Sequence, residues 1–245
     1  MTDWDAATYD RIADPQERWA MPVLERLPLR GDERVLDAGC GTGRVTAHLV
    51  ERLGHGGRVI ALDASAAMLE QARGRLGDAV DYVQADLGQP LALPGTDPVD
   101  AVFSTATFHW VPDHDALFAN LAAVLRPGGA LVAQCGGVGN VAAPLAAAAD
   151  LGAFSDLPHY FATAEDTAAS LARAGFIDVW TWLQPETAEF ASTADLHAFL
   201  RTVVLRRFVG TMTDDQQAAF VAAVADRLPG GRIGYVRLNI LARRR

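Results

Sequence analysis

At 245 residues, half of them apolar, the chain has material for a sizeable core, and it exceeds the soft prior of roughly 150 residues per domain without reaching two full domains. Its formal charge of −9 disfavours a general attraction to phosphate backbones, and no run of about 18 or more apolar residues offers a membrane span, so neither nucleic acid nor membrane is an expected partner. The polar, acidic start lacks a basic region followed by an apolar stretch, making the cytoplasm the expected location; Cys40 and Cys135 form no ligand-spaced set, so neither a disulfide framework nor a metal site is expected.

The stretch Arg34-Val-Leu-Asp-Ala-Gly-Cys-Gly-Thr-Gly-Arg44 joins an apolar strand to three alternate glycines and then to a helical pattern, with Val45, Leu49, Val50 and Leu53 on one face and Gly54 as its stop. Without Cβ atoms, Gly39, Gly41 and Gly43 let backbone N–H groups come close to a ligand. A dinucleotide fingerprint would need its third glycine at position 44, where the chain has Arg44. Segments 35–37, 59–63, 81–84, 100–104 and 130–135 read as strands alternating with helices, hence a parallel sheet with right-handed crossovers and ligands at its carboxyl edge.

The second strand ends in Asp63, about twenty residues beyond the glycines, with Ser65 placed to cap the next helix. A carboxylate there can accept both hydroxyls of a ribose, or simply begin a helix. The fourth strand runs through Ser104 and Thr105 into Phe108-His109-Trp110, and a helix with Leu117, Leu121, Val124 and Leu125 follows, ending in the Arg126-Pro-Gly-Gly129 turn before the fifth strand. Beyond Cys135, residues 141–149 are helix-compatible, 163–174 read as a helix ended by Gly175, and 176–183 as a sixth strand. Residues 193–209 and 214–228 read as two inserted helices, 232–241 has strand composition, and Arg243 to Arg245 read as a solvated tail.

Asp37-x-Gly39-x-Gly41-x-Gly43, Asp63, Val83-Gln-Ala-Asp86-Leu87, the loop 104–114 and the Arg-Pro-Gly-Gly turn together resemble the class I S-adenosylmethionine-dependent methyltransferases, closely over residues 34–135 and beyond that only by order of elements. The resemblance implies a Rossmann-like, doubly wound seven-stranded sheet, mostly parallel with the last strand antiparallel. It implies one methyltransferase domain over 1–245: a helical lid at 1–30, a cofactor core at 31–138, substrate-side helices and the sixth strand at 139–230, and the last strand with a basic tail at 231–245.

The implied cofactor is S-adenosylmethionine, leaving as S-adenosylhomocysteine. Asp37 would face its amino group, with Gly39, Cys40, Gly41 and Gly43 as the loop. Asp63, with Ala64 and Met68, would hold the ribose, Asp86 and Leu87 the adenine, and Ser104 and Thr105 the methyl-donor end. Tyr9 and Trp19, with Trp4, would sit in the lid; these, Trp110 and Tyr160 would face the substrate, and His159 could close over it. The loop after the fourth strand and Trp4-Asp-Ala-Ala-Thr-Tyr9-Asp10 narrow the likeness to the trans-aconitate methyltransferase group, with His109 where those enzymes tend to have Gln.

Methyl transfer from a sulfonium is an in-line displacement, so the protein mainly aligns nucleophile, methyl and sulfur. An ionised carboxylate acceptor needs no base, whereas a phenol or alcohol would benefit from one. His109 is the candidate base or positioning group, or it packs beside Trp110. Asp113 is placed to cap a helix rather than join His109 and His114 on a metal. Arg201, Arg206 and Arg207 could bind a carboxylate or form a solvated face. An oxygen of a small-molecule acceptor is the expected methyl target. The alternatives are nitrogen or carbon methylation, an NAD-dependent oxidoreductase, and a protein that binds the sulfonium without methylating.

Overall fold

The computed structural model describes residues 14–153 and 160–245. Seven strands, β1 (Arg34–Ala38), β2 (Arg58–Asp63), β3 (Val80–Gln84), β4 (Val99–Thr105), β5 (Leu125–Gly136), β6 (Phe176–Ala188) and β7 (Ile233–Arg244), form one sheet in the order β3-β2-β1-β4-β5-β7-β6. Strands β1 to β5 pair in parallel, and β7 runs antiparallel to both β5 and β6. The expected Rossmann-like architecture is thus present, with its topological switch between β1 and β4, where the chain departs in opposite directions and leaves a crevice at the strand ends.

Alternate residues of each strand serve the two faces, as a pleat of period two requires. Val35, Val59, Ala61 and Phe103 pack under α1 (Asp14–Glu25), α2 (Arg44–Leu53) and α3 (Ala66–Leu76), through Val23, Leu24, Leu49 and Leu69. Leu36, Ile60, Leu62 and Val102 meet the other layer, α4 (His114–Val124) and α6 (Ala164–Arg173), through Leu117, Phe118, Leu121 and Leu171. A third cluster joins Trp19 of α1 and Tyr235 of β7 to α5 (Ala142–Asp150), α7 (Thr193–Phe199), α8 (Arg206–Val209) and α9 (Asp214–Ala225). This cluster lies where the carboxyl end of β5 meets the amino end of β7, and it walls the crevice. No described helix is long and apolar enough to cross a membrane.

Three expectations need correcting. The helix read over 193–209 is broken: α7 passes into a π-helical turn at Leu200–Val204, closed by Leu205 N donating to Leu200 O at 2.7 Å, before α8 begins. The apolar spacing reported the buried face but not the widened turn. The Arg-Pro-Gly-Gly turn is absorbed into β5, which pairs Leu125 with Val99 and shifts register before Ala130 meets Ala101. The basic end is no tail either, since Arg243 and Arg244 extend β7 opposite Ala130 and Phe176, and Arg244 Nε donates to Ala122 O at 3.1 Å.

Candidate cofactor and acceptor site

A cavity of about 600 Å³ opens at the carboxyl ends of β1, β2 and β4 and extends under the inserted helices. Gly39, Cys40 and Gly41 border it. Gly39 has φ +90°, and a Cβ on it would lie 2.2 Å from Thr107 Oγ1, so only glycine lets the loop after β4 close over the turn. Thr107 in turn donates to Gly39 O at 3.2 Å. Gly43 does not reach the cavity; a Cβ there would meet Leu76 Cδ1 at 2.9 Å, and its role is the close approach of α2 to α3.

Asp37 is buried at the cavity wall and accepts from Thr46 Oγ1 at 2.7 Å. Burial pushes its carboxyl up to about 7, against the lowering effect of the Thr46 hydrogen bond and with help from the nearby Asp63 charge. A buried acid in this state, facing a cavity, is suited to receive a cation such as the ammonium of an amino-acid ligand. Asp63 accepts from Gly41 N and Ser65 N, each at 2.9 Å, one on each oxygen, which ties the glycine loop to β2 and leaves lone pairs for further donors. Ser65 caps α3 through Met68 N, so Ala64 and Met68 also line the cavity. Asp86 is turned by its bond from Gly88 N at 2.8 Å and borders the cavity with Leu87. These residues can hold an amino acid, a ribose and a base along the strand ends.

Thr105 lines the cavity, but Ser104 does not. It is 1% exposed and its hydroxyl donates to Ala38 O at 2.6 Å, stitching β4 to β1, because the pleat turns it away from its neighbour. His109 and Trp110 both line the cavity. His109 Nδ1 accepts from Gly136 N at 3.2 Å, which assigns the ring proton to Nε2, and the ring stacks on Phe161 at 5.7 Å. In that tautomer His109 donates from Nε2, and acting there as a base would require giving up the Gly136 bond.

Tyr160 is half outside and stacks edge-on against His114, while its N–H donates to His109 O at 2.9 Å; the neighbouring Phe161 lines the cavity in its place. Trp19 packs against Tyr235 at 4.8 Å and stands behind the wall rather than in it. Tyr9, Trp4 and His159 lie outside the described residues. Asp113 caps α4 through Ala116 N at 2.9 Å, and no group of acids, histidines and cysteines among the described residues could hold a metal ion. Arg206 and Arg207 line the cavity, Arg207 with its Cζ 5.8 Å over the Trp110 ring, whereas Arg201 pairs with Asp214 at 2.9 Å on the surface.

Sequence reasoning missed Glu17, Asn140, Val203, Val204, Tyr235 and Arg237, all on the cavity wall. Glu17 of α1 binds Arg44 at 2.6 Å and His48 at 2.9 Å, which accounts for an arginine where a dinucleotide fold has glycine. The His48 bond, aided by Arg44 and opposed by burial, holds the Glu17 carboxyl below its ordinary range. A signal for Arg237 was present: Tyr235, Arg237 and Asn239 alternate with Val236, Leu238 and Ile240, too polar for one face of an ordinary core strand.

The sheet order and the cavity at its switch point define a Rossmann-like enzyme built for a nucleoside cofactor. Residues 35–129 match the family described as a methyltransferase domain. The trans-aconitate 2-methyltransferases of Paracidovorax citrulli and Methylobacterium nodulans are each 34% identical to this chain, over all of it and 99% of their own lengths. A solved structure of phosphoethanolamine N-methyltransferase 2 from Haemonchus contortus shares the fold at a TM-score of 0.65 and 20% identity, covering 98% of this chain and 57% of that one. The chain belongs to the class I S-adenosylmethionine-dependent methyltransferases, related to their trans-aconitate methyltransferase-like small-molecule group. It is an enzyme that transfers a methyl group from S-adenosylmethionine to a small-molecule acceptor, which removes the oxidoreductase and non-methylating alternatives.

Proposed function

We propose that the acceptor atom is a carboxylate oxygen of a small organic acid. The observation that carries this reading is the division of charge around the cavity. Carboxylates of Asp37, Asp63 and Asp86 lie at the strand ends, and arginines 206, 207 and 237 lie on the side built by the inserted helices and β7. Trans-aconitate, the acid in the names of the full-length relatives, fits this division, and His109 in place of their Gln leaves the particular acid to experiment.

When bound, S-adenosylmethionine supplies a methyl group on a sulfonium that needs no proton to leave. Asp37 would bind its ammonium, Asp63 its ribose hydroxyls and Asp86 with Leu87 its adenine, while Gly39, Cys40 and Gly41 give the backbone room, Ala64 and Met68 flank the nucleoside and Thr105 borders the donor end. On the acceptor side, Arg206 and Arg207 neutralise the acid, Trp110 and Phe161 exclude water, and His109 donates from Nε2 to orient an acceptor oxygen. An ionised carboxylate needs no general base, which agrees with a histidine arranged as a donor. We place the enzyme, as one catalytic unit, in the cytoplasm, a reading supported by its two free, buried thiols.

The test is a screen of small carboxylic acids, their amides, and alcohols, following S-adenosylhomocysteine and the methylated product. A product that alkali converts back to the acid with release of methanol supports esterification. An alkali-stable product heavier by one methylene unit would move the reaction to a hydroxyl oxygen, nitrogen or carbon.

A further inference from the structure

Residues 137–141 join β5 to α5, and this turn fixes Asn140 from two directions. Its N–H donates to Gly137 O at 2.9 Å, and its Oδ1 accepts from Val236 N of β7 at 3.1 Å. Because a backbone N–H can only donate, the second bond identifies the two ends of the amide: the oxygen is turned to β7, and the nitrogen is left over. Nδ2 has no acceptor among the described residues. Asn140 is nevertheless only 5% exposed, and it lines the cavity. A buried amide donor without a partner is costly, and a ligand entering the cavity removes that cost.

The surroundings keep this donor on the acceptor side. A Cβ on Gly136 would come 2.6 Å from Asn140 Nδ2 and 2.8 Å from Phe161 Cε1, so glycine at this position leaves the amide room. The same Gly136 gives its N–H to His109 Nδ1 at 3.2 Å, the bond that makes His109 a donor from Nε2. Val141, the next residue, has φ +48°, a left-handed backbone that a β-branched side chain rarely adopts. Strain of this kind persists where packing dictates it, and it gathers at ligand sites.

We propose, on the footing that the acceptor is a carboxylate, that Asn140 is a specificity-determining residue of the acceptor site, donating from Nδ2 to a carboxylate oxygen. Two neutral donors, Asn140 Nδ2 and His109 Nε2, then share Gly136 as their support. The group they meet must bring an oxygen lone pair, a requirement that the arginines by themselves do not impose. An ammonium or a methyl at this point leaves the buried N–H unpaired, and such a site rejects it more strongly than it rejects a change in size. Val236 already holds the amide in one orientation, so little rotamer freedom is lost on binding.

The experiment compares wild type with Asn140→Asp and Asn140→Ala. The first change is nearly isosteric, keeps an oxygen for Val236 N and turns the donor into an acceptor; the second removes both contacts. Each variant is checked for fold by circular dichroism and for cofactor binding by calorimetric titration with S-adenosylhomocysteine. KM and kcat are then measured on a carboxylic acid that wild type methylates, starting with trans-aconitate. Asn140→Asp is expected to raise KM about 100-fold, since it adds a like charge to the lost bond, and Asn140→Ala about tenfold, with S-adenosylhomocysteine affinity within about twofold in both. A merely structural asparagine predicts the opposite order, because only Asn140→Ala loses the Val236 bond. An unchanged KM in folded Asn140→Asp overturns the assignment and leaves the carboxylate reading standing. Should that variant fail to fold, heteronuclear NMR of the wild-type enzyme decides. The Asn140 side-chain amide, assigned by its absence from Asn140→Ala, should move downfield when the acid is added to the S-adenosylhomocysteine complex, and an unmoved resonance overturns the assignment. Wild type that methylates only neutral acceptors overturns both.

Discussion

The two sides of the cavity are built differently. The side proposed for the cofactor uses strand ends and the turns directly after them, so Asp37, Gly39, Gly41 and Asp63 lie within one βαβ unit, with Gly41 N donating to Asp63. The side proposed for the acceptor is collected from Trp110, Phe161, the π turn at Leu200–Val204, and β7, segments far apart in the chain. Its polarity also differs, arginines facing acids across the same space. Local turns build the strand-end side, and long-range packing builds the side under the inserted helices.

The sharpest way to break this contrast is at the glycines. Gly39→Ala places a methyl against Thr107 and should cost roughly 2 to 5 kcal/mol of stability. Gly41→Ala, whose Cβ would meet no atom within 4 Å, should cost only about 1 kcal/mol from its positive φ. Thermal unfolding of the two variants would erase the distinction if both lost stability equally.

Asp37 provides the next effect. Its carboxyl sits at about 7 in the fold against an ordinary 3.8, so between those values the folded protein holds a proton that the unfolded chain has released. Unfolding free energy of the ligand-free protein should therefore fall as pH rises through this window, by roughly 4 kcal/mol in total. Asp37→Asn should flatten the profile. Cofactor affinity should run the other way, weakening by up to about tenfold per unit below pH 7, because the ammonium requires the ionised acid. Denaturant titrations and calorimetry across pH 5 to 8 give both slopes, and parallel profiles for wild type and variant would remove Asp37 from the account.

Asp63→Ala should weaken S-adenosylhomocysteine binding by about 1.5 to 3 kcal/mol, the scale of a charged hydrogen bond. His109→Phe keeps the stack on Phe161 and removes the donor. It should lower kcat/KM for the acceptor about tenfold, near 1.4 kcal/mol, without changing cofactor affinity or the shape of the pH–rate profile. A limb in the ordinary histidine range that disappears in the variant would instead make His109 a base. Smallest of all, Arg201→Ala breaks an exposed pair with Asp214 and should change activity and stability by less than about 0.5 kcal/mol.

Reading the chain alone marked most of the residues that line the strand-end side of the cavity because each of those signals is short. Alternating apolar residues mark strands, and an acid after a strand needs no distant partner to be placed. Ser104 was misassigned because one step along a strand reverses the direction of a side chain, and only the register of β4 against β1 decides which residue looks into the cavity. Tyr160 and Phe161 exchange places for a similar reason: the Tyr160 N–H is spent on His109 O and its ring lies against His114. Trp19 was placed in the lid from resemblance, and it turns out to support Arg237 from behind.

By itself, the sequence determined the alternation of strands and helices, the glycine turn and the acids at the strand ends, because these depend on backbone geometry and on neighbours a few residues away. Tertiary structure alone decided the raised carboxyl of Asp37, the donor tautomer of His109 and the burial of Arg237. Each depends on a dielectric or a hydrogen-bond partner delivered by another part of the chain: the packed wall around Asp37, Gly136 beside His109, and Trp19 with Gln134 around Arg237. Such long-range electrostatics carry no local pattern of residues, which is why the half of the cavity under the inserted helices became legible only once the chain was folded.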